Sequence, residues 1–461
     1  MKKLNNAWGL WIVVAVSLVI YLSYIFITDQ KEIFSPGEIT HGHHQIEMSC
    51  SSCHADSFGG GPVIQNACVD CHKEDLKESD DSHPKSKFTD PRNISRVKEL
   101  DARICVTCHT EHRPEITNAM GVTIPEDFCF KCHQDIAEDR SSHVGMKFTD
   151  CASSGCHNYH DNRSLYEDFL EKHIGEPTHL TTAEVIKKSS PAEISTLSNY
   201  PLEKYPLNKL LAKELDAPKN TFQNDLIVDD WSKTSHAQAG VNCTACHEQK
   251  QSTGGIIWKD KPGQESCKNC HSTEVKGFLS GKHGMRLAEG LTPMLPDMSK
   301  LAMKQDAHSK ELSCMSCHSS HKFDIKYAAV DACLGCHNDK HSREYKKSPH
   351  FVTWDKELSG LNSENTGVSC STCHMPRKEF DVDEKTLVLS EHNQNMNLRP
   401  NDKMLRTVCM NCHGLGFSMD ALADKDLVNN NFNGLPKVHV QSIDLVNERL
   451  LKRNKPKEGS P

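Results

Sequence analysis

CMSCHSSHKFDIKYAAVDACLGCH, residues 314–337, decides how this chain is read. Two cysteines flank two residues, a histidine follows at once, and the pattern returns before the stretch ends. Working outward, the same string recurs along the chain. It is formed by Cys50, Cys53 and His54; by Cys68, Cys71 and His72; by Cys105, Cys108 and His109; and by Cys129, Cys132 and His133. It recurs as Cys243, Cys246 and His247; Cys267, Cys270 and His271; Cys314, Cys317 and His318; Cys333, Cys336 and His337; Cys370, Cys373 and His374; and Cys409, Cys412 and His413. An eleventh site, with a wider gap, sets Cys151 and Cys156 before His157. These motifs use all 22 cysteines of the 461-residue chain. Random placement at this composition yields roughly 0.06 C-x-x-C-H strings.

Three chemistries compete for paired cysteines. Disulfides account for an even count but not for the histidine after every second cysteine. Zinc uses two such pairs per ion and has no need of an adjacent histidine each time. Covalent haem explains both features. Two thiols add across the two vinyl groups of one haem, and the next residue is held under the iron as proximal ligand. The expectation is eleven covalently attached haem c groups, with His54, His72, His109, His133, His157, His247, His271, His318, His337, His374 and His413 proximal.

Composition agrees. Hydrophobic residues make up 36% and aromatic residues 6%, a thin supply for a large apolar core, so the haem itself is expected to fill the interior. The net charge of −8 lacks the basic footprint of a nucleic-acid-binding protein. Strand signals are poor. The expected fold is mainly α with extensive loops and little β, an N-terminal transmembrane helix leading to two haem-packed domains.

AWGLWIVVAVSLVIYLSYIFIT, residues 7–28, is uncharged and long enough to span a bilayer. Lys2 and Lys3 precede it and the next basic residue is Lys31, so the N-terminus is expected inside and the remainder outside. The run is long for a cleaved signal peptide and no small-x-small site follows it, which favours an anchor. The expected location is a bacterial inner membrane, with the haem domains in the periplasm.

Spacing divides the rest. Residues 1–6 are cytoplasmic, 7–28 the anchor, 29–160 a five-haem domain and 161–230 a cysteine-free connector with helical pieces. A six-haem domain at 231–440 and a partly disordered tail at 441–461 follow. DSHPKSKFTD from Asp81 and SSHVGMKFTD from Ser141 share S-H-x-x-x-K-F-T-D, an internal repeat suggesting duplicated small haem modules.

Seventeen histidines lie outside the motifs, more than the eleven that full bis-histidine ligation needs. His41, His43 and His44 precede the first motif, and His83 and His143 share the repeated segment. His112, His160 and His321 each follow a motif histidine by three residues, on its own side of the haem, so a neighbouring haem is their expected target. His236, His283, His308, His350 and His392 complete the distal candidates. His173, His179 and His439 read as surface residues.

The stretch EYKKSPHFVTW, GVSCSTCHMPRKEF, LSEHNQNMNLRP and VCMNCH, within residues 344–413, resembles the end of the pentahaem ammonia-forming cytochrome c nitrite reductases and the related octahaem hydroxylamine oxidoreductases. CLGCHNDKHSREYKKSPH, which contains His341, looks like the octahaem branch. The first half resembles class III and other small multihaem cytochromes, in which a four-residue gap like that of Cys151 and Cys156 occurs. The nitrite reductase resemblance implies a lysine at the catalytic motif, fifth from the end, where this chain has His271 after Cys267 and Cys270. It also implies a tyrosine where Asn338, Asp339 and Lys340 stand. The hydroxylamine oxidoreductase resemblance implies a cross-linking tyrosine beyond the last motif, but none follows Tyr345. Catalysis is therefore not carried over, and haem packing is. The leading expectation is a cytochrome that accepts electrons from a quinol-oxidising partner or another redox protein and passes them on. The alternative is a multihaem reductase of a small nitrogen or sulfur oxyanion such as nitrite, hydroxylamine or tetrathionate.

Overall fold

The computed structural model describes residues 2–28, 33, 35–55, 61–79, 83, 85–140, 143–144, 147–148, 159–160, 167–197, 200–218, 225–250, 254–398 and 403–453. Cys151, Cys156 and His157 lie outside the described residues. So do parts of the repeated segments at 81–90 and 141–150, of the connector and of the tail.

The protein is mostly helical with little strand. After helices Lys2–Ile27 and Gly61–Glu78, every described helix has 12 residues or fewer. The motifs explain the brevity. A C-x-x-C pair on one helical turn sets both thiols on the same face. The histidine then closes that turn, its backbone N–H donating to the first cysteine's carbonyl at 2.8 Å for His54 and Cys50 and at 2.9 Å for His318 and Cys314. Polar residues start the turns. The Ser369 hydroxyl accepts from Thr372 N at 3.2 Å ahead of Cys370–His374, and the Asn242 amide oxygen caps Cys243–His247.

Two antiparallel hairpins supply the described strands. Glu248–Lys250 pairs with Ile256–Trp258, and Arg377–Val382 pairs with Lys385–Ser390. The second turns through Asp383 and Glu384 at φ 49° and 63°, a two-residue connection whose positive φ matches the strand twist.

Contacts divide the chain into two units. The first comprises Met1–Cys71 and Leu100–Pro125, the second His72–Glu99 and Glu126–Pro461. In the first, helix Lys2–Ile27 contains a span, Ala7–Ile25, long and apolar enough to cross a membrane. In the second, apolar side chains gather in small separate clusters. One joins Leu170, Leu405, Leu415, Met419, Ile443 and Val446; another joins Leu197 to Leu387 and Leu389 under the longer hairpin. The expected connector, where it is described, is part of the second unit. Its backbone bonds into the second unit, Leu180 N to Cys412 O at 2.9 Å, Val185 N to Asn365 O at 2.7 Å and Ser189 N to Val388 O at 2.9 Å.

Candidate haem sites

The second unit holds a cavity of about 2370 Å³. A pocket for one small ligand usually measures about 300–1,000 Å³, so this one has room for several. Its wall carries all eight cysteines of the four motifs from Cys243 to His337, and their four histidines. Four further histidines line it: His236, His283, His321 and His392.

These eight histidines face one another in pairs. Ring centroids lie 5.9 Å apart for His247 and His321, 6.1 Å for His271 and His236, 6.4 Å for His318 and His392, and 6.3 Å for His337 and His283. The last two motifs follow suit, with His374 and His341 at 6.0 Å and His413 and His350 at 6.3 Å. In the first half, His133 and His83 stand 6.0 Å apart. Two imidazoles bound end-on to one metal ion, with about 2 Å to each nitrogen and about 1 Å from nitrogen to ring centre, put their centroids about 6 Å apart. The residues present thus fit bis-histidine haem.

The tautomers fit as well. A carbonyl only accepts, so a ring bonded to one through Nδ1 donates there and keeps its Nε2 lone pair for a metal. His83 donates to Tyr159 O at 2.7 Å, His247 to Lys259 O at 2.7 Å, His341 to Val428 O at 2.5 Å, His392 to Ser390 O at 2.9 Å and His413 to Thr178 O at 2.9 Å; the Nε2 of His341 accepts from the Asn431 amide at 3.2 Å. In the first unit His109 donates to Gly121 O at 3.1 Å and His112 to Gly37 O at 2.7 Å. His43 instead meets the Glu111 carboxylate at 2.7 Å. Burial alone would raise the Glu111 carboxyl, but His43 and Thr40 bind its oxygens and draw it down to about 2. Burial also pushes His236, His283, His318, His350 and His374 down to about 4, which keeps their rings neutral as metal ligation requires. The same cause lifts the Cys243 thiol to about 11 and those of Cys317 and Cys373 to about 12.

The other histidines have different surroundings among the described residues. His308 is half-buried, and the six motif histidines of the second half are matched without it. His41 is exposed, His44 lies 3.5 Å from Glu47, His143 is half-buried, and His160 is half-buried beside Tyr159. His179 is exposed, with its ring 4.9 Å from that of His413 and the two Nδ1 atoms 3.1 Å apart, and His173 bonds Glu176 at 2.5 Å. His439 is exposed between Asp420 and Asp444. His341, absent from the ranked distal candidates, is the ring that meets His374. A count could not have found it: His236, His283, His308, His321, His350 and His392 already number six, one for each motif between Cys243 and His413.

A family model described as cytochrome c3 matches residues 42–134 and again residues 235–338. The chain is 28% identical over 169 residues to the cytochrome c-552 of Haemophilus ducreyi, covering 32% of each chain. It is 29% identical over 86 residues to the dissimilatory sulfite reductase MccA of Wolinella succinogenes, covering 18% of this chain and 11% of the relative. The chain thus spans a third or less of the curated relatives it matches. With ten regular C-x-x-C-H motifs and the paired rings, these likenesses identify a multihaem c-type cytochrome.

Proposed function

We propose that this protein is a membrane-anchored, periplasm-facing cytochrome with eleven covalent haem c groups, and that it relays electrons in a respiratory chain. The observation that carries the reading is the pairing of seven motif histidines, each with a second histidine at 5.9–6.4 Å. On this reading His83 is the distal ligand opposite His133. In the second half His321, His236, His392, His283, His341 and His350 stand opposite His247, His271, His318, His337, His374 and His413. When bound, haem iron supplies one-electron redox chemistry. The chain's own residues do the rest. In each of the seven pairs two imidazoles would hold the haem iron between them, which would leave no place there for a substrate. Carbonyls at Lys259, Val428, Ser390 and Thr178 orient the rings.

The N-terminal helix supports attachment to the inner membrane, where a quinol-oxidising protein or another redox protein would deliver electrons. The net charge of −8 argues against a nucleic-acid partner. The competing reading is a reductase of a small nitrogen or sulfur oxyanion. It draws on the resemblance of residues 344–413 and on the likeness to the Wolinella sulfite reductase. It needs an open axial position, yet His271, at the motif corresponding to the catalytic one, faces His236.

Low-temperature electron paramagnetic resonance of the purified protein separates the two. The relay predicts low-spin haem throughout. A high-spin haem that binds nitrite or hydroxylamine would overturn the relay and favour the reductase.

A further inference from the structure

The two stretches that match one family model begin one residue before His43 and His236 and end one residue after His133 and His337. Each contains four motifs. Histidines recur at corresponding places within them. His112 and His321 each stand three residues past the third motif histidine, in C-V-T-C-H-T-E-H and C-M-S-C-H-S-S-H. The fourth motifs read D-F-C-F-K-C-H-Q-D and D-A-C-L-G-C-H-N-D.

The structure repeats as well. His83 meets the fourth motif histidine of its stretch, His133, at 6.0 Å, and His283 meets His337 at 6.3 Å. His112 and His321 share a rare backbone, φ 60° and 62°. A non-glycine residue in that region is strained and held there by its surroundings. His321 spends that geometry on facing His247, the first motif histidine of its stretch.

We propose that residues 42–134 and 235–338 are two copies of one four-haem module with the same ligand wiring, so that His112 is the distal ligand of the haem held by Cys50, Cys53 and His54. His112 is ready for the role, because its Nδ1–H donates to Gly37 O at 2.7 Å and leaves Nε2 for iron. The third motif takes its partner from outside the copy, as His318 does from His392. The inference rests on the bis-histidine reading above.

The test uses full-length holoprotein. His112→Ala and, separately, His321→Ala each convert one haem from low to high spin and open it to cyanide, and added imidazole restores the low-spin signal. Mass spectrometry still counts the wild-type number of haem additions. In a Cys50→Ala/Cys53→Ala background, which carries one haem fewer, His112→Ala adds no further high-spin signal. If it does add one, His112 serves a different haem and the shared wiring is wrong. If His112→Ala leaves the spectrum unchanged while His321→Ala alters it, the proposal also falls. Should the alanine variant fail to accumulate, His112→Met keeps a sixth ligand and raises the midpoint potential of one haem; no rise overturns the assignment. Failure of the relay reading looks different, since high-spin haem is then present in the wild type.

Discussion

His283 follows His271 by twelve residues, yet its ring turns to His337, 6.3 Å away. His283→Ala is therefore expected to open the haem of Cys333 and Cys336 rather than that of Cys267 and Cys270. One haem becomes high-spin and binds cyanide, measured by paramagnetic resonance and optical titration; an unchanged spectrum would exclude His283 as a ligand. His439 serves stability instead. Its ring lies 3.0 Å from Asp420 and 2.9 Å from Asp444, and these bonds raise it above 6.5. A raised histidine stabilises the fold fully below its unfolded value and loses that contribution as pH climbs through the folded one. His439→Ala should thus lower the melting temperature at about pH 6 and leave it unchanged at about pH 9. Thermal denaturation at the two pH values checks the sign.

Among the elements, the turn after helix Ser272–Ser280 shows how a loop aims a ligand. Gly284 lies so close to Phe278 that a Cβ there would stand 2.8 Å from that residue's carbonyl carbon and ring. Gly284→Ala must push the turn away and carry His283 with it. The expected cost is about 1–3 kcal/mol, with a high-spin fraction smaller than in His283→Ala. A stable variant with a wild-type spectrum would show that the turn does not aim the ring. Helix Leu415–Ala423 does comparable work behind the last motif. Leu415 is fully buried against Leu405, Met419 and Ile443, and Gly414 N, beside His413, donates to Pro177 O at 3.1 Å. Leu415→Ala should cost about 2–5 kcal/mol, read from a denaturant midpoint.

For the whole molecule, the scattered clusters and the cavity ringed by cysteine and histidine predict a protein whose stability depends on its cofactor. Mass spectrometry should find eleven haem additions. Ten would point to Cys151 and Cys156, and nine or fewer would refute uniform use of the motifs. Fractionation should leave the protein in the inner membrane, released only by detergent. A soluble product starting near residue 30 would identify Ala7–Thr28 as a signal peptide.

Haem attachment, the helical class and the apolar span were legible in the sequence because each is local. A thioether pair and its histidine span five residues at ten of the motifs, and a membrane span is one uninterrupted run. The partners of those histidines were not legible, because ligand pairing joins residues distant in the chain. His318 and His392 are separated by the longer hairpin, and His321 lies beside His318 in sequence while its ring meets His247. Composition showed that enough histidines exist. Which of them meet was decided by the positive φ at His321, the close turn at Gly284 and the carbonyls that accept from the Nδ1–H of His83, His341 and His392. A histidine's type is local information, but the direction of its ring follows from tertiary packing.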